Sequence, residues 1–454
     1  MTMAREARGA PRKGRWIGHC EPDDPAFWES TGRRVARRNL IFSIVAEHLG
    51  FTLWTVWSIV AVKLGAYEFS TDQLFWIVSL PNLVGSALRI PYTFAPARFG
   101  GRDWTIASAL FLLIPAVLLA VAVSDPGTPY WAFLAIAATA GLGGGNFASS
   151  MANITYFYPQ SRQGAALGLN AAGGNIGVSS VQLLMPLVIG AFGLAAAGLF
   201  WVPFIVAASA GAYLFMDNLT SAKADPRDQL KIVTSGHTWI MSILYIGSFG
   251  SFIGYSTAFP LLIKSQFPEH TSLVGYAFVG ALVGSLVRPA GGWLSDRLGG
   301  ARVTLAGFAA MALALLLVWR GLAAHDITLF FGAYLLLIAT TGVGNGSTYR
   351  MIPAIFRARA TAGVPASDTE AFAEAAANGR RDASAAIGVI SAIGAFGGFF
   401  INRGFGTSIG ATGDASAALA AFAAFYAACL ALTWFCYLRR AGSRAAAGLA
   451  AARV

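Results

Sequence analysis

The sequence predicts an all-α polytopic membrane protein, with twelve transmembrane helices in two six-helix bundles related by a pseudo-twofold axis. Three observations lead there. Apolar residues make up 56% of the 454-residue chain and charged residues 12%, about half the charged share of a soluble domain. Twelve stretches are long and apolar enough to cross a bilayer, which takes about 20 residues. Several motifs recur at one offset between the two halves. The same composition excludes disordered, collagen-like and coiled-coil chains. Cys20, Cys429 and Cys436 are too few for a disulfide scaffold, and the last two read as small apolar residues.

The spans fall near 40–63, 74–97, 104–123, 129–157, 163–191, 194–215, 237–263, 272–295, 302–321, 327–356, 384–405 and 413–438. Glycine and proline inside them are tolerated because neighbouring helices re-satisfy freed backbone groups. The net charge of +11 follows topology. With the N-terminus inside, the tails and even-numbered loops hold 25 Lys and Arg, and the odd-numbered loops four. That is the positive-inside bias with both termini cytoplasmic, so the basic surplus implies no nucleic-acid partner. The expected organisation is a cytoplasmic tail at 1–34, a bundle at 35–215, a linker at 216–236, a second bundle at 237–440 with a cytoplasmic loop at 357–383, and a tail at 441–454. No apolar signal core precedes residue 35.

The repeat is direct. Gly85-Ser86, Arg89, Arg98-Phe99-Gly100-Gly101 and Gly145-Asn146 return as Gly284-Ser285, Arg288, Arg297-Leu298-Gly299-Gly300 and Gly344-Asn345, each pair 199 residues apart. Gly168, Gly174 and Gly177 return as Gly388, Gly394 and Gly397 at an offset of 220. Parallel repeats of this kind describe the major facilitator fold, with its substrate site between the halves near the midplane.

Arg89 and Arg288 each lie nine residues before the Arg-x-Gly-Gly turn, roughly 13 Å into the membrane at 1.5 Å per residue. Such a depth is close to mid-bilayer, where an arginine costs about 2.5–3.5 kcal/mol even on insertion scales. One reading is a buried salt bridge, but Glu47 is the only acid well inside a span, so at most one arginine could be paired that way. The other reading is an anion between them, since a guanidinium stays protonated and offers a planar fork of donors. Asn82, Asn175, Gln182 and Tyr245 are polar neighbours by helical spacing, and a buried polar group needs a partner. The glycine stripes fit close helix packing as well as a ligand role.

The stretch Gly141-Leu-Gly-Gly-Gly-Asn-Phe-Ala-Ser-Ser-Met-Ala-Asn-Ile-Thr-Tyr-Phe-Tyr-Pro159, then Gly164-Ala-Ala-Leu-Gly-Leu-Asn-Ala-Ala-Gly-Gly-Asn-Ile-Gly-Val178, resembles the first signature of the nitrate/nitrite porters, the NarK-type branch of the major facilitator superfamily. Gly342-Val-Gly-Asn-Gly-Ser-Thr-Tyr-Arg-Met-Ile-Pro353 resembles the second. The resemblance extends over roughly 35–440. It implies nitrate and nitrite as substrates, an anion clamped by Arg89 and Arg288, contacts from Asn175 and Tyr245, and aromatic walls at Phe147 and Phe249. It also implies that Gly143, Gly144, Gly145, Asn146, Gly164, Gly168, Gly174, Gly342, Gly344, Asn345 and Gly346 let helices slide during alternating access. A monomer in the inner (plasma) membrane is the expectation. In one departure Ala97 stands where the second copy has Asp296.

The family includes exchangers and proton symporters. Two arginines around one monoanion leave the site positive, and more so when empty, which favours nitrate/nitrite exchange. Proton coupling would need a titratable group in the pathway, and Glu47 is the candidate. An enzyme is not expected. The five histidines are scattered, no metal-ligand spacing is present, and no Gly-x-x-x-x-Gly-Lys loop implies a nucleotide cofactor. The closest rival is a two-arginine exchanger of another anion such as an organophosphate.

Overall fold

The computed structural model of the chain describes residues 15–18, 20–220, 231–365, 367–439 and 454. Twelve helices run through it: α1 Pro25–Tyr67, α2 Thr71–Phe99, α3 Gly101–Ser124, α4 Tyr130–Thr155, α5 Ser161–Phe192, α6 Ala196–Phe215, α7 Gly236–Gln266, α8 Pro268–Leu298, α9 Gly300–Ala323, α10 Ile327–Thr361, α11 Thr369–Thr412 and α12 Ser416–Leu438. Each is apolar and long enough to span a bilayer. They form two six-helix bundles, α1–α6 and α7–α12. The seam between the bundles is made by α2 against α11 and α5 against α8.

All twelve expected spans are present, but helix continues beyond the apolar cores in two stretches of the chain. Residues 25–34, expected as polar tail, form the first turns of α1. Asp24 caps them by accepting from the backbone N–H groups of Ala26 and Phe27 at 3.1 Å each, and Pro25 takes the first helical position. Trp28 is buried there, 5.7 Å from the ring of Tyr158. Likewise the expected loop at 357–383 is mostly helix. α10 continues to Thr361 and α11 begins at Thr369, capped by the Asp368 carboxylate on the Ala371 N–H at 3.1 Å. Hydropathy sees neither extension because both stand outside the apolar layer. Residues 1–14, linker residues 221–230 and the tail at 441–453 lie outside the described residues.

The recurring Arg-x-Gly-Gly motif has a backbone cause. Gly100 and Gly299 close α2 and α8 with φ of +94° and +92°, a left-handed geometry that favours glycine. Gly101 and Gly300 then start the next helices, where a Cβ would lie 1.8 Å from Asn153 Oδ1 and 2.4 Å from Met351 Cγ. Asn218 braces the first turn, accepting from the Arg102 N–H at 2.9 Å and donating to the Asp103 carboxylate at 2.9 Å. Beside it the two-residue strands β1 Trp16–Ile17 and β2 Asn218–Leu219 pair in parallel. Asp217 meets Arg15, Arg38 and Asn39. The N-terminal segment is therefore tied to the end of α6.

The opposite face is closed across the seam. The Lys264 ammonium of α7 donates to the Val62 carbonyl at 2.7 Å. Arg403 of α11 reaches the Asp72 carboxylate at 2.8 Å and lies over the Trp76 ring at 4.0 Å. Gln182 of α5 donates to the Ser256 carbonyl of α7 at 2.7 Å. On the face bearing the β1–β2 pair the halves diverge, and a cavity of about 1650 Å³ opens between them.

Much of the packing near that cavity depends on missing side chains. A Cβ on Gly346 would lie 2.0 Å from the Arg288 carbonyl oxygen, and one on Gly143 2.2 Å from that of Gly50. Backbone at that distance must move. Gly346→Ala is expected to destabilise the fold by about 1–3 kcal/mol, the usual cost of overpacking. Gly190→Ala, with nothing within 4 Å of its Cβ, should not. Thermal unfolding of the two variants in detergent checks this, and equal midpoints would contradict it.

Candidate functional site

The cavity's inner end is built from the two mid-helix arginines. Arg288 on α8 lines the cavity and is 6% exposed; Arg89 on α2 lies just behind the lining and is fully buried. Among the described residues neither forms an ion pair. The Arg89 guanidinium is fixed instead by main-chain oxygens: Nε donates to the Gly144 carbonyl at 3.0 Å and Nη1 to the Ser391 carbonyl at 3.1 Å. Gly144 belongs to its own half and Ser391 to α11 of the other, so Arg89 bridges the seam. Arg288 Nη2 approaches the Tyr245 hydroxyl at 3.5 Å. Arg89 Nη2 and Arg288 Nη1 are buried without a hydrogen-bond partner.

Aromatic rings enclose the pair. Arg89 Cζ lies 4.6 Å from the Phe147 ring centroid, 4.9 Å from Phe249 and 5.3 Å from Trp54. Phe147 of α4 and Phe249 of α7 stack across the seam at 6.1 Å. Phe249 stacks on Tyr245 at 5.3 Å. Arg288 Cζ lies 5.3 Å from the Tyr349 ring. Cation–π contacts offset part of the missing hydration of a guanidinium. Phe249 is thus part of the arginine cage.

The structure brings Arg89, Arg288, Tyr245, Phe147 and Phe249 together. Asn175 on α5 is buried, and neither its Nδ2 nor its Oδ1 has a hydrogen-bond partner. Three contributors were missed by sequence reading. The Gly144 and Ser391 carbonyls carry no side-chain signal. Tyr349 lies within the second glycine signature, yet its repeat counterpart is Ser150, so the offset hid it. Its hydroxyl is buried and unpartnered.

The glycine signatures take up two kinds of position. Gly143, Gly144, Gly342 and Gly346 are points of backbone contact: Gly144 faces Gly85 Cα, and Gly342 faces the Gly284 carbonyl. Gly145 abuts the Tyr92 ring and Gly174 the Glu47 carboxylate. Gly344 is looser, with its nearest atoms at 3.6 Å, while Gly164 and Gly168 line the cavity with nothing within 4 Å of a Cβ. Asn146 is buried with both amide atoms unpartnered, and Asn345 with its Oδ1. At the mouth, Arg350 is paired with Asp296, Nε to Oδ1 at 2.5 Å.

Glu47 is wholly buried on α1. Its Oε2 accepts from Asn170 Nδ2 at 2.7 Å, and its Oε1 has no partner. Asn170 also donates to Ser150 Oγ at 2.6 Å, which shares a hydrogen bond with Ser43 Oγ at 2.8 Å. His48 turns away, with Nδ1 against the Gly173 carbonyl at 3.0 Å. The arrangement as a whole is a cationic, aromatic-walled chamber with unused donors, suited to a small planar oxyanion.

Known proteins similar to this chain are transporters. The family model described as Major Facilitator Superfamily matches residues 40–367. The nitrate/nitrite transporter NarU of Salmonella typhimurium is 43% identical over 93% of this chain and 96% of its own length. The Thermus thermophilus protein named "Probable nitrate/nitrite antiporter NarK2" is 37% identical over 95% of this chain and 98% of its own length. Among solved structures, the Escherichia coli xylose transporter XylE in a partially occluded inward open conformation aligns with a TM-score of 0.67. It covers 88% of this chain and 98% of XylE at 11% identity, a likeness of fold alone.

Proposed function

The chain belongs to the nitrate/nitrite porter family of the major facilitator superfamily, and we propose that it exchanges nitrate for nitrite across the membrane by alternating access. The observation that carries this reading is the pair of buried, unpartnered guanidinium nitrogens, Arg89 Nη2 and Arg288 Nη1, at the inner end of the cavity. Nitrate offers three coplanar oxygens and one negative charge. It would accept from both forks while Phe147 and Phe249 exclude water. Asn175 and Tyr245 would supply the remaining donors.

The open cavity faces the side that the positive-inside bias assigns to the cytoplasm, which supports an inward-facing state with both termini cytoplasmic. Lys264, Arg403 and Gln182 then hold the outer face shut. A plasma-membrane location is supported by the bacterial transporter relatives. Gly164 and Gly168, which face open space here, are where the halves could approach as the cavity closes. Exchange is favoured over uniport because the two guanidiniums of the empty centre have no acid in ion-pair contact and leave it net positive, so it would cross its occluded state poorly. The name of the Thermus relative also points to antiport. The alternative is proton-coupled nitrate uptake through Glu47, supported by that carboxylate's full burial.

Proteoliposomes test the two modes. Nitrate uptake should appear in nitrite-loaded vesicles and be absent from empty ones, with or without an inward proton gradient. Uptake into empty vesicles that rises with the gradient would overturn exchange in favour of symport. Nitrite should compete with nitrate for uptake and phosphate should not; strong phosphate competition would point to an organophosphate-type exchanger.

The clamp has its own test. Arg89→Lys and Arg288→Lys keep the charge but lose the planar fork. Each should reduce exchange to below about a tenth, a loss of about 1.4 kcal/mol or more in transition-state terms. Wild-type rates in either variant would show that the anion is held elsewhere.

A further inference from the structure

The internal repeat identifies what stands in the first half where the second half has Tyr245. Gly174 of α5 and Gly394 of α11 are repeat partners, 220 residues apart. A Cβ on Gly174 would lie 2.2 Å from Glu47 Oε1, and one on Gly394 2.3 Å from Tyr245 Cδ1. The next pair behaves alike: Gly177 faces the His48 carbonyl at 2.3 Å, and Gly397 the Ile246 carbonyl at 2.8 Å. Glu47 is therefore the pseudo-twofold counterpart of Tyr245, the residue whose hydroxyl meets Arg288. Its carboxylate is within electrostatic reach of both Arg89 and Arg288.

We infer that the Glu47 carboxylate and the transported anion are rivals for the same two guanidiniums, so that anion binding at the clamp and proton binding at Glu47 are positively linked. This rests on the oxyanion reading above and holds for exchange and symport alike. An ionised Glu47 brings the empty centre to a net charge of one. An arriving monoanion adds a second negative charge beside the carboxylate, which favours its protonation. With anion and proton both bound the centre again carries one net positive charge, the same as before loading. Linkage is reciprocal, so lower pH must tighten anion binding to the same degree.

The groups facing Glu47 leave it as the site of that proton. Arg89 from α2 and Arg288 from α8 are cationic, Tyr349 from α10 is a phenol, and Asn170 from α5 and Ser150 from α4 are neutral. His48, on its own helix, points at the Gly173 carbonyl. Glu47 lies one side chain behind the cavity wall. Met151, whose sulfur accepts from the same Asn170 amide at 3.4 Å, lines the open cavity.

Two measurements on the purified full-length protein in detergent test this. The first is nitrate affinity across the weakly acidic to weakly alkaline range, for wild type and Glu47→Gln. Wild-type binding should strengthen by about tenfold on acidification, inside the range usual for coupled sites. Glu47→Gln, which fixes the protonated charge, should bind at the tight limit with no pH dependence. The second needs no variant: adding nitrate to wild type in weak buffer with a pH dye should draw protons out of solution. Wild-type binding that is flat with pH and takes up no proton overturns the linkage, as does a Glu47→Gln protein that still takes up protons. Failure of wild type to bind nitrate at any pH would overturn the oxyanion reading and the linkage with it.

Discussion

Two buried arginine side chains inside membrane-spanning helices, with no acid in ion-pair contact, are the constraint on which the rest of the structure depends. Removing a guanidinium from water costs several kcal/mol even after relaxation. Helices α2 and α8 could not carry Arg89 and Arg288 unless other groups did part of the work of hydration. The structure supplies main-chain carbonyls, aromatic faces and a cavity that brings water to within one side-chain layer. A carbonyl is a good choice for a carrier. It orients the guanidinium but cancels none of its charge, so the centre stays attractive to an anion. A carboxylate in ion-pair contact would have satisfied the arginine and cancelled its charge.

The glycine signatures follow from that solution. For the Gly144 carbonyl to reach Arg89 Nε at 3.0 Å, α4 must approach α2 closely enough for Gly144 and Gly85 to meet. In the second half Gly342 and Gly346 press on the carbonyls of Gly284 and Arg288. The glycines pack, and by packing they set where the arginines point. Gly164 and Gly168 differ, since they line the cavity wall and touch nothing. Within one signature, then, some glycines are points of contact and others are free surface.

What could be read from the sequence was whatever leaves a trace in hydropathy or repetition. The twelve spans and the two-bundle fold were legible because a bilayer admits few solutions. Arg89 and Arg288 were legible because charge at that depth has no bland explanation. Residues 25–34 and most of 357–383 were misread as irregular, since both helical extensions lie beyond the apolar layer, although Asp24-Pro25 and Asp368 are helix-start signals. The Ser391 and Gly144 carbonyls were illegible in principle, because every residue has one. Tyr349 was hidden by the same repeat that revealed the arginines.

The repeat also shows where chemistry has been added to a duplicated scaffold. Geometry is copied faithfully: Gly100 and Gly299 differ in φ by a few degrees. Chemistry is not. Asp296 and Arg350 form an ion pair at the cavity mouth, while their counterparts 199 residues earlier are Ala97 and Met151. Both partners are absent together, and the first half braces its turn with Asn218 instead. The reverse holds at the centre, where the first half carries an acid at Glu47 and the second a phenol at Tyr245. A site made strictly symmetric by duplication would have two acids or none. With two carboxylates the arginines would be neutralised and an anion repelled; with none, loading and unloading would each change the centre's charge. One acid and one phenol leave the two arginines a single negative partner, a charge that one proton can remove.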